Sequence, residues 1–216
     1  MCKNNTLIET NTIKTKKFFK HSLYISLIPI DRRDFLTSIA EKIVEQRHKL
    51  KKVRLNFICT HNSRRSQLAQ VWAHYAIDNY KLRKIKSFSG GTETTAFHKN
   101  TVKTLQEVGF KFKLIEFSHT NPIYEITSKN MKKPIIGFSK IYNNESNKHP
   151  FIAITNCSSA EENCPFIPDA VHRFHLPYED PKSSDDTTFT QKKYLETNQI
   201  IASEMNFLFQ QVSDLL

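Results

Sequence analysis

The sequence predicts an α/β sandwich, a mainly parallel four-stranded sheet with helices on both faces. Three observations carry this. Short apolar runs alternate with segments whose apolar residues recur at helical spacing. Two of those runs, Val53–Ile58 and Phe151–Asn156, end directly in a cysteine, which places a reactive atom at a strand end. A chain of 216 residues buries one substantial core, so one main domain is expected.

The first element is an addition to that domain. Residues 1–51 read as a basic N-terminal extension, partly helical, ahead of the main domain over 52–216. Asp34 is placed to cap a helix running to about Lys49, with Phe35, Ile39, Ile43 and Val44 spaced for burial against a neighbour. Residues 1–22 read as loose. The formal net charge of +11 is concentrated here: residues 1–54 hold thirteen Lys and Arg against five acids, which leaves only +3 for the rest. Few aromatics interleave with those charges and no nucleic-acid motif is present, so a solvated helical face explains them and nucleic-acid binding is not expected. No apolar run reaches membrane-spanning length and the start carries no clear signal peptide, so a cytoplasmic protein with no membrane partner is expected.

Val53 to Ile58 reads as the first strand, and Ser63 to Tyr80 as a helix with Leu68, Val71, Trp72 and Tyr75 along one face. Cys59 therefore stands on a strand-to-helix turn, Cys59-Thr60-His61-Asn62-Ser63-Arg64-Arg65-Ser66. Unpaired amides at a helix start can point at a tetrahedral anion, and the same dipole favours a cysteine thiolate. Arg65 is placed to hold two oxygens of such an anion in fork geometry, and Ser66 to hydrogen-bond the sulfur. Lys84 to Phe88 reads as a second strand, followed by Ser89-Gly90-Gly91-Thr92, where two of the four glycines allow tight turning. Phe97 to Val108 is an amphipathic helix stopped by Gly109. Residues 112–150 contain two runs, Ile123–Thr127 and Pro134–Ser139, that can pair as a hairpin with Lys129–Lys133 at the turn. Phe151–Asn156 and Val171–Pro177 are further strands. The closing helix, about Thr187 to Leu216, offers Tyr194, Ile201, Met205, Leu208 and Val212 for burial.

The turn at Cys59 resembles the oxyanion loop shared by low-molecular-weight protein tyrosine phosphatases and thioredoxin-coupled arsenate reductases, in which Cys, Asn, Arg and Ser recur as C-x-x-N-x-x-R-S. Cys59, Asn62, Arg65 and Ser66 match it, and Ser89 and Thr92 match a Ser-x-Gly-Thr stretch that supports the loop in both families. His61 stands where glycine is usual, and histidine tolerates a positive φ at some strain. Arg64 stands where a second cysteine is common. The resemblance implies the strand order of the sheet, an oxyanion bound by Thr60 to Ser66, and Asp180, in the pair Asp180-Pro181 after the last strand, as general acid. Glu179 is a rival acid.

Cys157 and Cys164, seven residues apart after a strand, are similar to the redox pair of the reductases. A short helix over Ser158–Asn163 that unwinds would bring the two sulfurs within disulfide range. The resemblance then implies arsenate reduction through a Cys59, Cys157, Cys164 relay, with thioredoxin or a similar external dithiol as reductant and no bound cofactor. The alternative is phosphatase chemistry through a phosphocysteine, with Tyr178 as the one aromatic near the acid. A third reading, a non-enzymatic oxyanion sensor, rests on His61 and Arg64. Nine histidines include no pair in metal-ligand context, and no metal is expected. About 40 residues between the helix at 97–108 and the strand at 151 exceed the connection usual in these families, so 112–150 reads as an insertion.

Overall fold

The structure is a computed structural model that describes residues 14–23, 28–163 and 166–216. Its elements are α1 (residues 14–23), α2 (Ile30–Lys49), β1 (Val53–Cys59), α3 (Arg65–Asn79), β2 (Ile85–Gly91), α4 (Lys99–Glu107), β3 (Lys111–Glu116), β4 (Ile123–Thr127), β5 (Ile135–Gly137), β6 (Phe151–Thr155), α5 (Ser158–Asn163), β7 (Ala170–His175) and α6 (Thr190–Leu215). A 3₁₀ turn, Pro181–Ser184, leads into α6.

β2, β1, β6 and β7 form one sheet in that order, parallel throughout, which is the four-stranded, mainly parallel sheet that the sequence predicts. Both of its faces are covered. Along β6, Ile152 and Ile154 enter the larger core with Leu55, Phe57, Leu68, Trp72 and the α6 side chains, while Phe151 and Ala153 join a smaller cluster with Ile58, Cys59, Cys157, Ala160 and Ile167. This period-two split explains why the central strands read as continuous apolar runs: a parallel strand buried on both faces has no polar side to show. α6 packs against α2, α3 and α4, and its expected residues Tyr194, Ile201, Met205, Leu208 and Val212 are all fully buried.

The extension differs from the reading in two places. Residues 14–22, read as loose, are helical. Their anchor is aromatic: Phe18 and Phe19 stack on Trp72 with ring centroids 5.5 and 5.7 Å away, and Phe19 is 3% exposed. Burying one such ring contributes roughly 1.5–3 kcal/mol, enough to hold a short amphipathic segment. Asp34 does not cap α2, which starts a turn earlier at Ile30 behind Pro29. The fixed φ of Pro29 leads the chain in without a side-chain cap.

The hairpin at 112–150 is present, with β4 and β5 antiparallel, but it has a third member. β3 pairs antiparallel with β4 to make a separate three-stranded sheet. The sequence gives little sign of β3, because Lys111 and Lys113 beside Phe112 are exposed, and only the packing of Phe112 on Phe97 and Tyr124 shows which face is inward.

Candidate active site

Cys59 closes β1 and Arg65 opens α3, so the five residues between them must turn the chain through the edge of the sheet. The carbonyls of that turn are tied outward. Cys59 O accepts from Thr92 N (3.3 Å), Thr60 O from Glu93 N (2.9 Å), His61 O from Ser139 Oγ (2.7 Å), Asn62 O from Gln67 Nε2 (3.0 Å) and Ser63 O from His98 N (3.1 Å). A planar trans peptide points its N–H opposite its carbonyl. The amides of Thr60 to Arg64 therefore face the inside of the turn, and none is hydrogen-bonded to an acceptor among the described residues. Five converging donors at a helix start make a cradle for a tetrahedral oxyanion.

Two glycines let the sheet come close enough to hold this turn. A Cβ on Gly91 would lie 2.4 Å from Glu93 O and 2.6 Å from Thr60 O, and one on Gly90 would lie 2.2 Å from the Cα of Tyr142. Thr92 also donates from its Oγ1 to Thr60 O (3.3 Å). Ser89 is fully buried and donates to Gln70 Oε1 (2.5 Å), which ties β2 to α3 behind the turn.

Strain in the turn falls on Asn62, with φ 46°, and not on His61. Asparagine enters the left-handed region readily because its short side chain bonds locally. Here Asn62 Nδ2 donates to Ser66 Oγ (2.8 Å), and Asn62 Oδ1 accepts from Gln67 Nε2 (3.2 Å) and Lys140 N (3.1 Å). Ser66 Oγ, which accepts from Asn62, lies 3.0 Å from Cys59 Sγ and has its own proton to give to a thiolate there. His61 turns outward instead, its Nε2 3.3 Å from Glu93.

The two arginines have different surroundings. Arg65 Nη2 contacts Asp180 Oδ2 at 2.5 Å and Nη1 donates to Tyr178 O (3.3 Å), while its buried Nε has no partner among the described residues. Asp180 thus stands at the mouth of the turn, and it also accepts from Lys182 N (3.0 Å), capping the 3₁₀ turn. Glu179, the rival acid, has no hydrogen bond or ion pair to the turn. Arg64 points away: Nε donates to Tyr194 Oη (2.6 Å) and Nη2 to Asp185 Oδ2 (2.6 Å). Burial works to raise the Asp185 carboxyl, but the Tyr194 hydrogen bond and the Arg64 charge outweigh it and hold Asp185 below the usual carboxylate range. Burial pushes the Tyr194 phenol up to about 12. Arg64 thereby fastens the turn to the segment that follows Asp180.

Cys157 is brought to the same place. β6 lies beside β1, and the register that faces Ile58 with Thr155 carries Cys157 to the level of Thr60. Its sulfur is 3.5 Å from Thr60 Oγ1, and it shares the smaller buried cluster with Cys59. Both are free thiols. α5, which follows Cys157 directly, is the expected short helix. Cys164 lies outside the described residues. Among the described residues no group of three or more His, Cys, Asp or Glu is placed to hold a metal ion.

The reading missed the second layer of the turn. Gln67 Nε2 bridges Asn62 to Phe138 O (2.8 Å), and Ser139 and Lys140 reach in from the segment after β5. Gln67 and Gln70 carried a signal, as amides buried in a helix whose neighbours are Leu, Ala and Val. Ser139 and Lys140 carried none. Tyr178 does not offer its ring at the mouth: it is buried in the larger core beneath Arg32, whose guanidinium lies 5.4 Å above the ring centroid.

A Cys-x₅-Arg turn between the first strand and its helix, on a parallel sheet ordered β2-β1-β6-β7, defines the low-molecular-weight protein tyrosine phosphatase fold. No family model matches the chain. It is 33% identical over 132 residues to a protein named arsenate reductase from Bacillus subtilis (strain 168), which spans 61% of this chain and 76% of that protein. It is 29% identical over 140 residues to arsenate reductase 1 of Staphylococcus epidermidis, spanning 65% of this chain and 86% of the relative. Among solved structures, a YwlE mutant from Bacillus subtilis superposes with a TM-score of 0.51 at 14% identity, covering 74% of this chain and 98% of that one, a likeness of fold. The chain belongs to the arsenate reductase family.

Proposed function

We propose that the chain reduces arsenate to arsenite through a three-cysteine relay recharged by thioredoxin or a similar dithiol. The observation that carries this is the placement of Cys157 against the oxyanion turn, in contact with Thr60 and in one buried cluster with Cys59. Arsenate is held by the turn amides and Arg65. The Cys59 thiolate, hydrogen-bonded by Ser66, attacks arsenic, and Asp180 delivers a proton so that one oxygen leaves as water.

Reduction follows from attack of the Cys157 thiolate on Cys59 Sγ. The electron pair of the S–As bond leaves with arsenic, which passes from As(V) to As(III) as arsenite, and a Cys59–Cys157 disulfide forms. The Cys164 thiolate then attacks Cys157 Sγ, which releases Cys59 as a thiolate and leaves a Cys157–Cys164 disulfide. The external dithiol supplies the two electrons that reduce it. No metal or bound cofactor takes part, and the relay suits a reducing compartment such as the cytoplasm.

Hydrolysis of phosphate esters would use the same turn and acid, but it has no use for Cys157, and Tyr178 is buried away from a phosphoaryl ring. The test is arsenate turnover coupled to thioredoxin, thioredoxin reductase and NADPH, run beside hydrolysis of an aryl phosphate. Cys157→Ser is expected to abolish the first and spare the second. Continued arsenate turnover in that variant would refute the relay.

A further inference from the structure

A second concave site lies away from the oxyanion turn. The edge of β2 and the segment 132–140 enclose a groove of about 610 Å³, and no residue of Cys59–Ser66 lines it. Its walls include Ile85 and Phe88 from β2, Ile135 and Ile136 from β5, and Phe138. The volume is in the range of small-molecule sites, and the lining is largely apolar.

One wall residue does not fit an apolar groove. Lys140 is 4% exposed, yet its Nζ has only a long contact to Phe138 O (3.5 Å) and the face of the Phe138 ring, 4.5 Å from the centroid. No carboxylate lies within ion-pair distance of it among the described residues, and burial pushes its ammonium down to about 8 with no charged partner opposing the shift. A buried cation of this kind is costly unless something outside the fold supplies the counter-charge.

The rim repeats the sign. Arg83, Lys84, Lys86, Lys132 and Lys133 line the groove with exposed side chains, and none is in an ion pair among the described residues. The one acid of the lining, Asp78, is occupied by Lys132 N (2.6 Å) and His74 Nε2 (3.7 Å). A cationic ligand would meet only repulsion here. Inorganic phosphate would leave the Phe and Ile walls uncovered.

We propose that this groove binds a small amphipathic anion, an aromatic or aliphatic body bearing a carboxylate, sulfonate or phosphate, with the acidic group on Lys140 and the body against Phe88 and Phe138. The anion completes the coordination of the buried amine, and the rim lysines and Arg83 raise its local concentration. This site is independent of the reductase reading, because none of its residues belongs to the relay.

The probe is 1-anilinonaphthalene-8-sulfonate, titrated by fluorescence into the full chain, with near-ultraviolet circular dichroism confirming that each variant is folded. One saturable site is expected. Lys140→Met is expected to weaken it at least tenfold, and the exposed double variant Lys86→Glu/Lys133→Glu at least fivefold. N-phenyl-1-naphthylamine, which lacks the sulfonate, is expected to bind at least tenfold more weakly than the dye. Saturating phosphate, which fills the oxyanion turn, is expected to leave the dye affinity unchanged. Wild-type affinity in both folded variants, equal binding of the neutral analogue, or displacement by phosphate would each overturn the proposal.

Discussion

The N-terminal extension reaches the acid-bearing loop through one side chain, and removing it should be felt in both stability and rate. Arg32, in α2, makes a two-pronged contact with Glu204 of α6: Nε to Oε1 at 2.8 Å and Nη2 to Oε2 at 3.0 Å. Nη2 also donates to Pro177 O (3.0 Å), three residues before Asp180. The side chains of Arg32 and Glu204 are 19% and 7% exposed, so this pair is largely out of water. Arg32→Met strands the Glu204 carboxylate beside the Tyr178 phenol, which burial and that same carboxylate already hold well above its ordinary range. Losing one partner of a buried pair costs about 3–5 kcal/mol, and the partial exposure of Arg32 places this case near 3. For a chain of this size that corresponds to a fall in Tm of roughly 6–12 °C. Arg32→Met/Glu204→Met removes the stranded charge and should melt above the single variant, because an apolar pair fills the space without desolvation. Circular dichroism melts of the four members of the cycle measure both effects. Arsenate turnover should drop several-fold in Arg32→Met as Pro177 loses its donor. A single variant melting within about 1 °C of the parent, or a double variant no better than the single, would refute this account.

Ser66→Ala removes the hydroxyl that lies 3.0 Å from Cys59 Sγ and can donate to its thiolate. A hydrogen bond to a charged group contributes about 1.5–3 kcal/mol, so kcat for arsenate should fall roughly 10- to 150-fold with the fold intact, and a loss below twofold would count against it. Lys140→Met should change how stability depends on pH. The folded-state amine is depressed from 10.5 to about 8, so the penalty for burying its charge is fully present below about 8 and relieved as pH rises towards 10.5. Urea unfolding of the parent should therefore gain stability over that window, on the order of 3 kcal/mol, while the Met variant is more stable at pH 7 and flat across the same range. Parallel slopes in the two proteins would remove Lys140 as the cause.

The parallel sheet was legible because its strands are buried on both faces and so announce themselves as unbroken apolar runs, and the oxyanion turn because its chemistry needs Cys59, Arg65 and Ser66 at fixed spacing along the chain. What stayed hidden was set by contacts between distant segments. The positive φ on Asn62 suits asparagine and is held by three hydrogen bonds, one of them from the amide of Lys140, a partner that lies far along the chain. α1 was hidden for the same reason: its stability comes from Trp72, more than fifty residues away, and its own composition, four lysines among ten residues, argues for nothing. Arg64 looked like a departure from the loop pattern that weakened it. In place it joins the turn to Asp185, a contact invisible until the two ends of the domain are brought together.

The two segments that lengthen this chain beyond the loop-bearing domain both end in hydrogen bonds to the site. From the extension, Arg32 fixes Pro177. From the insertion, Ser139 Oγ takes up His61 O and the Lys140 amide takes up Asn62 Oδ1, while Gly91 N donates to Lys140 O (2.8 Å). A turn with histidine in place of glycine at its second position has less freedom to settle by itself, and these outer bonds supply the constraint that a glycine turn would not need. The same arrangement joins the groove to the turn. The side chain of Lys140 stands in the groove wall and its backbone bonds to Asn62, the residue that orients Ser66 towards Cys59. Two hydrogen bonds, Lys140 N to Asn62 Oδ1 and Asn62 Nδ2 to Ser66 Oγ, lie between the backbone of residue 140 and the hydroxyl beside Cys59 Sγ, while the Lys140 side chain that stands in the groove wall takes part in neither.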